Sequence, residues 1–500
     1  MLPPDPTPFI ARAITWDSGA SSPSRDDDLR VIRRIGATFL GRMAHVWFPT
    51  EDDAVHFARA AEAAAQVHAI DPGIVCQAAI FEVVYPRSGS ELIPEWVFTA
   101  LGEPVEARTF RVAEMAPADG SRHWSLFGAG SVVPDLTRAE TRRWILYRAG
   151  SYLRAGYEAL HLGQVHMTAS ADRGFAALAD LLGRIRALAA TWGRRGFVLI
   201  DAHTHGVVRE GRLLFDLHTR ASSLRNGPVI GSLLYQRGGR SRGGIAPSGQ
   251  HVAALPGLVE IDNWGWSLPE DRRGDAAARA ACDRWGMDDI SALAHMPAAM
   301  RRHFLRFAAL YWRSTDQAQR FQPPLRRVLH AEQVEHLDGR RATHYQANRA
   351  SPACPDGFGD EDTLAALWDG EDPPWLAEWR ALPDRPVAPG GDAPGACRLI
   401  GPIQRQLGGK PGDPACPHSL LHPRGDGTFA KVAVVPWAGD HACAVAFDGT
   451  ITEVYRQGGL MHSPDWIIRT ATDICRVRIW FDWTTRMLHA IDDDGRSLIA

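Results

Sequence analysis

Lysine is almost missing from this chain. Of the 55 lysines and arginines among 500 residues, only Lys410 and Lys431 are lysines. Nothing before residue 410 can therefore supply a Schiff-base lysine, a P-loop lysine or a carboxylated lysine bridging two metals. Cysteine is sparse as well. Cys76, Cys282, Cys354, Cys397, Cys416, Cys443 and Cys475 form an odd set without a CxxC pair. That set predicts reduced thiols, not a disulfide framework or a zinc ribbon. No stretch reaches the roughly 18 uninterrupted apolar residues of a membrane span. The start, Met1 to Pro8, has neither a basic n-region nor an apolar h-region, so a cytoplasmic protein without a signal peptide is expected. Charge of one sign is lacking too. The net value of -3 excludes the basic surplus of a typical nucleic-acid binder, and no Rossmann or P-loop glycine pattern calls for a nucleotide.

Present instead is an alternation of short β-rich apolar runs with longer helix-period segments from about residue 8 to residue 350. It predicts βα units around a parallel sheet. Strands are expected at Phe9–Trp16, Ala37–Trp47, Ile74–Val84, Ala159–Met167, Phe197–His203 and Leu258–Asn263, with Thr343–Asn348 as the last. A hairpin is expected around Glu210-Gly211. Helices are expected at Asp26–Ile35, Glu51–His68, Pro134–Tyr157, Gly174–Trp192 and Pro297–Trp312, the third opened by a Thr137/Glu140 capping box. Residues 371–396 are rich in Pro, Gly, Asp and Ala and read as a linker. Beyond them, short alternating strands separated by turns such as Asp448-Gly449 predict a small all-β, sandwich-like module at 397–500. The expected fold class is α/β: a (β/α)8 barrel over residues 8–370 followed by that module.

In such a barrel the reactive groups sit just past the carboxyl ends of the strands. Those positions hold Arg42, His45 and Trp47, then Glu82, then Gln164 and His166, then Asp201, His203 and His205. Asp216, His218 and Arg220 follow, then Glu260, Asp262, Asn263 and Trp264. Burying so many polar groups without partners would cost about 1–3 kcal/mol each, which points to a working pocket. Glu82 leaves the apolar run Val75–Phe81, a setting suited to general-acid work. Asp201, Glu260 and Asp262 are candidates for the opposing carboxylate, while a buried Glu82–Arg42 ion pair is the structural alternative. Trp47 and Trp264 offer indole faces to sugar rings. The basic glycine-rich run Gly238–Gly244 fits an anion-binding loop or a mobile lid equally well.

Taken together, this pattern resembles the (β/α)8 glycoside-hydrolase-like proteins, many of which carry a C-terminal β-sandwich. The resemblance implies hydrolysis of a glycosidic bond in a small-molecule or oligosaccharide substrate. It implies Glu82, Asp201, Glu260 and Asp262 as catalytic candidates. Arg42, His45, Trp47, Gln164, His166, His203, Asp216, His218, Asn263 and Trp264 are the implied substrate-binding residues, and no cofactor is implied. In the large clan of retaining enzymes the fourth strand ends in Asn-Glu, whereas here it reads Gly163-Gln-Val-His166. A second resemblance is carried by Asp201-Ala-His203-Thr-His205, which is similar to the Asp-x-His-x-His strand end of amidohydrolases. It implies a divalent metal such as zinc on His203 and His205. A third reading is a non-catalytic carbohydrate-binding or scaffold protein.

Overall fold

The computed structural model describes residues 3–117, 126–127, 129–225, 233–236, 241–263, 288–296, 298–315, 318–329, 334–335, 341–368, 388–390, 392–407, 411–416, 419–435, 437–452, 454–459, 462–472 and 475–500. Five short strands run parallel in chain order: β1 (Ala13–Trp16), β2 (Phe39–Ala44), β3 (Val75–Ala79), β4 (Ala159–His161) and β5 (Leu199–Asp201). All five are buried on both faces, as parallel strands covered by helices require. A second parallel set joins β6 (His218–Arg225), β7 (Gly257–Ile261) and β8 (Gln319–Gln322). Both ends of the two sheets meet. His203, just past β5, bridges Thr219 of β6 in the parallel sense. At the other end β8 continues across Pro323 into β9 (Pro324–Val328), which pairs in parallel with β1.

The expectation of a last parallel strand at Thr343–Asn348 is corrected here. The strand β10 (His344–Gln346) lies antiparallel against β9, and the parallel neighbour of β1 on the side away from β2 is β9. Pro323-Pro324 hides this strand from sequence reasoning, because proline argues against a central strand. The structure tolerates it because Pro323 uses its carbonyl, accepting the Thr15 N–H at 2.9 Å.

Helices α1 (Arg25–Ile35), α2 (Asp53–Ile70), α3 (Glu95–Leu101), α4 (Ala139–Arg154), α5 (Ala176–Trp192) and α6 (Ala298–Thr315) surround the strands. Outward strand residues such as Ile14, Leu40, Cys76, Leu160 and Ile200 share one apolar core with Val31, Ala60, Leu146 and Leu182 of the helices. α1 carries Asp26, Asp27 and Asp28 in its first turn and Arg33 and Arg34 in its last, each matched to the helix dipole. The expected capping box of α4 is not made. Glu140 instead accepts the Arg111 N–H at 2.8 Å and pairs with Arg108 and Arg143 at 2.8 and 2.7 Å. The competing cations outbid the cap.

Inside the circuit of strands, two layers differ in kind. At the amino-terminal end, Ala13, Phe39, Val75, Ala159, Leu199 and Leu258 pack with Ile10 and Leu217 into an apolar plug. Two residues further along, several of the same strands present Thr15, Gln77, His161, Asp201 and Glu260, all buried. Residues 397–491 form a separate antiparallel sheet, with strands at Cys397–Ile400, Leu420–Pro423, Thr428–Val435, Gly439–Phe447, Val454–Tyr455, Trp466–Thr470, Cys475–Asp482 and Met487–Ile491. Phe429, Phe447, Trp466 and Phe481 anchor its own core. Among the described residues no helix is long and apolar enough to cross a membrane.

Candidate active site

The polar layer begins with an irregularity in β2. Leu40 pairs with Cys76 but Ala44 pairs with Ala78, so β2 spends two extra residues there. Arg42 absorbs the bulge at φ 56°, a left-handed conformation that costs a non-glycine residue of order 1–3 kcal/mol. Its amide donates to Gln77 Oε1 at 3.1 Å. Its guanidinium turns inward, ion-paired with Glu260, 3.1 Å from Asp262 Oδ2 and 3.0 Å from His203 Nε2. Arg327 of β9 comes from the other side, ion-paired with Asp262 and 3.8 and 3.9 Å from Asp17 and Glu260. Asp17, just past β1, meets His45 at 2.6 Å, and His45 meets Ser18 at 2.9 Å.

Three carboxylates thus share two guanidiniums. Burial alone would raise the pKa of Asp262, but Arg42, Arg327 and His203 hold it well below the usual carboxylate range. Burial opposes ionisation of Asp17 too, and Arg327, His45 and Arg42 overcome it. Glu260 is lowered in the same way, chiefly by Arg42. All three stay ionised. Asp262 is the more accessible of the β7 pair, with 12% of its side chain exposed against 1% for Glu260.

Glu82 is different. It is buried, yet its oxygens accept the Gln164 backbone N–H at 2.9 Å and the Gln164 side-chain N–H at 2.7 Å. No cationic nitrogen lies within 4 Å of it among the described residues. The alternative pairing of Glu82 with Arg42 is not formed, because Glu260 and Asp262 take that guanidinium. Gly163 makes the approach possible. It sits at φ 55°, and a Cβ there would lie 2.1 Å from Glu82 Oε2, so a side chain would push the carboxylate away. His166 is exposed nearby, in the field of Glu82. Trp47 stands edge-on to Phe81 and to Phe127, with centroids 5.2 Å away in each case.

Asp201 points into the layer and is saturated. It accepts Gln77 Nε2 at 2.5 Å, binds His161 Nδ1 at 2.7 Å and takes the Thr219 hydroxyl. His203 goes to Arg42 and Glu260, the latter at 3.1 Å. His205 lies apart from it, in the field of Arg220 and Arg242. His203, Glu260 and Asp262 form the one group near this layer, among the described residues, whose atoms could share a metal ion. Arg42 Nη2 already sits within hydrogen-bonding reach of all three. A fixed positive charge on the point that a metal would take does not fit the amidohydrolase set, and His205 is not part of it.

The remaining expected residues scatter. Asp216 precedes β6 and binds Arg186 and the Ile200 N–H at 3.0 and 2.8 Å. His218 opens β6 at the opposite end, against Gln319 and Ser241 at 3.2 and 3.0 Å. Neither joins the Arg42 cluster. Asn263 donates to Asp288 and to the Val328 carbonyl. Trp264 lies outside the described residues, as does much of the glycine-rich run. Sequence reasoning missed Asp17, Gln77, His161 and Arg327. For Gln77 and His161 a signal existed in the period-2 alternation, since each is two residues on from a member of the apolar plug, Val75 and Ala159.

No family model and no curated protein matches the chain. Among solved structures, it is similar to the glycoside hydrolase domain of PelA from Pseudomonas aeruginosa, at 15% identity over 50% of this chain and 85% of that one, with a TM-score of 0.25. A noncanonic maltogenic α-amylase from Thermotoga neapolitana matches at 9% identity over 98% and 96%, with a TM-score of 0.36. An isomalto-dextranase from Arthrobacter globiformis T6 matches at 10% identity over 96% and 84%, with a TM-score of 0.33. These scores are low, and the functional reading rests on the side chains.

Proposed function

We propose that this protein hydrolyses a glycosidic bond in a carbohydrate or glycoconjugate. In this reading the circuit of parallel strands is a (β/α)8-type barrel over residues 8–370, and 397–500 is an accessory sandwich-like domain joined through 371–396. The observation that carries the reading is the pair of unlike carboxylates. Glu82 takes two amide donors and, among the described residues, has no cationic nitrogen within 4 Å, whereas Asp262 is clamped between Arg42 and Arg327. A division between a carboxyl group with neutral partners and a carboxylate held ionised is what acid–base cleavage of an acetal requires.

Glu82 donates its proton to the leaving oxygen as the bond to the anomeric carbon breaks. Asp262 faces the positive charge that develops there. At a carboxyl separation near ~5 Å it attacks as nucleophile, and at ~6.5–9.5 Å it takes the proton of an attacking water. Glu260 sits beneath Arg42 and sets its position, and Asp201 leaves the catalytic set for a supporting role. Trp47 and His166, both at least partly exposed, form the rim that holds sugar hydroxyls and faces.

A second reading has one observation in its favour. Glu260, Asp262 and Asp17 are each engaged by arginine, as in a barrel that binds sugar without cleaving it. Glu82→Gln assayed on a panel of chromogenic glycosides separates the two. We expect kcat to fall about 10²- to 10⁴-fold with the melting temperature and sugar binding preserved. A wild-type protein that binds sugars and cleaves none supports the binding reading, and an unfolded variant assigns Glu82 to structure. Limited proteolysis tests the division of the chain. First cuts between Pro373 and Gly395 that release two folded fragments are expected, and cuts inside β1–β9 would overturn it.

A further inference from the structure

His161 is a buried group for which the acid–base scheme has no use. It ends β4, and 1% of it is exposed. Its Nδ1 lies 2.7 Å from Asp201 Oδ2. Asp201 is itself fixed by Gln77 and Thr219 from two other strands, so the ring has little freedom to turn. Burial lowers the pKa of the imidazole despite the neighbouring carboxylate, which keeps it neutral. A neutral ring carries one proton, and Nδ1 must hold it to donate to Asp201. Nε2 is then a bare acceptor.

Among the described residues that acceptor is buried and has no hydrogen-bond partner. The nearest ring is His203, 4.8 Å away centroid to centroid and tilted by 68°, and His203 spends its own Nε2 on Arg42 and Glu260. The guanidinium of Arg42 is taken by the same carboxylates. Leaving a buried acceptor unpaired is unfavourable, and native structures do so chiefly where something else arrives. A sugar hydroxyl supplies the O–H donor that a bare imidazole nitrogen needs.

We propose that His161, oriented by Asp201, holds the substrate: its Nε2 accepts the O–H of one hydroxyl of the bound sugar. This rests on the glycosidase reading, and it names a contact which that reading does not contain. Asp201 is a positioning residue, because it acts only by fixing which nitrogen is bare. A permanently trapped water would offer the same O–H···N chemistry, so the test must tell the two apart.

The test is nitrogen-15 NMR of histidine-labelled protein, with His161 assigned through His161→Gln. In the free protein Nδ1 should be protonated and Nε2 bare. The Glu82→Gln variant is then titrated with maltotriose, an α-galactobiose and chitotriose as probes. The sugar that binds should move the Nε2 resonance upfield and leave Nδ1 in place. In the active enzyme, His161→Gln should raise KM about 3- to 10-fold, the range of one lost neutral hydrogen bond, with kcat nearly unchanged. Asp201→Asn should exchange the protonated and bare nitrogens, which a merely structural aspartate would not do. A protonated Nε2 in the free protein overturns the proposal whatever the sugars do. Binding without movement of Nε2 overturns it in favour of a trapped water and leaves the glycosidase reading standing. Failure of all sugars to bind removes both readings.

Discussion

The two layers inside the strand circuit are built from the same strands, two residues apart, and obey opposite rules. The lower layer of Ala13, Phe39, Val75, Ala159, Leu199 and Leu258 is stabilised by removing apolar surface from water. The upper layer buries charge, and holds together only because each charge meets a partner. Arg42, Arg327, Asp17, Glu260 and Asp262 are a network in which no member can be lost alone. A buried ion network of this kind is weak evidence for stability, since well-packed apolar residues often do as well. Its presence above a complete apolar plug therefore points to a purpose other than folding.

The sharpest break of that comparison is Arg42→Met. Methionine keeps much of the stem and faces the same left-handed backbone, so the change removes mainly the charge. Glu260 and Asp262 would then keep Arg327 as their one guanidinium, with His203 beside them, and a buried pair broken on one side costs about 3–5 kcal/mol. We expect a fall in urea-unfolding free energy of that size together with loss of sugar binding. A variant as stable as the wild type would mean that water, not Arg42, neutralises the two carboxylates.

The lower layer should behave otherwise. Leu199→Ala removes fully buried apolar volume and should cost about 2–5 kcal/mol. Because Leu199 lies two residues below Asp201, KM and kcat at temperatures below the transition should stay within about twofold of the wild type. A large change in KM with little loss of stability would show that the plug sets the geometry of the polar layer, and the division between the layers would fail.

How far the sequence could be read follows the same division. Strands β1 to β5 were legible because they are short apolar runs between helix-period segments. β8 and β9 were not, because Gln319–Val328 mixes glutamine, arginine and two prolines. Those residues are there for the interior: Gln322 donates to the Ile14 carbonyl at 3.1 Å, and Arg327 serves Asp262. The ring was legible as residue types at strand ends, but the pairing was not. Arg42 reaches Glu260 rather than Glu82 because of a bulge in β2 that no propensity announces. Asp216 and His218 were placed with the ring because they follow β5 so closely, yet the chain uses those residues to return to the other end of the strands. Asp216 pairs there with Arg186 of α5.

The smallest expected effect concerns that other end. Burial lowers the His218 pKa to about 3, and its ring packs where a Cβ on Gly257 would lie 2.4 Å from Nε2, so charging it finds no room for water. The unfolded chain binds a proton at the ordinary histidine value, near ~6.5. The folded pKa is therefore depressed, and the stability it contributes is fully present above about pH 6.5 and lost as pH falls toward about 3. His56 and His344 act in the same direction, lowered by burial to about 2 and about 4. The carboxylates of the upper layer act lower still. Asp17, Glu260 and Asp262 have depressed values, so their contribution declines only below about pH 4. Between pH 6.5 and 4.5 the histidines therefore lower stability as pH falls, opposed by Asp28 and Asp216, whose carboxyl pKa values burial raises. His218→Gln should reduce the histidine slope by up to one proton, ~1.4 kcal/mol per pH unit, in urea titrations across that window. An unchanged slope would mean that the His218 ring is already protonated in the folded protein, and that the Gln319 and Ser241 contacts stabilise a cation rather than a neutral imidazole.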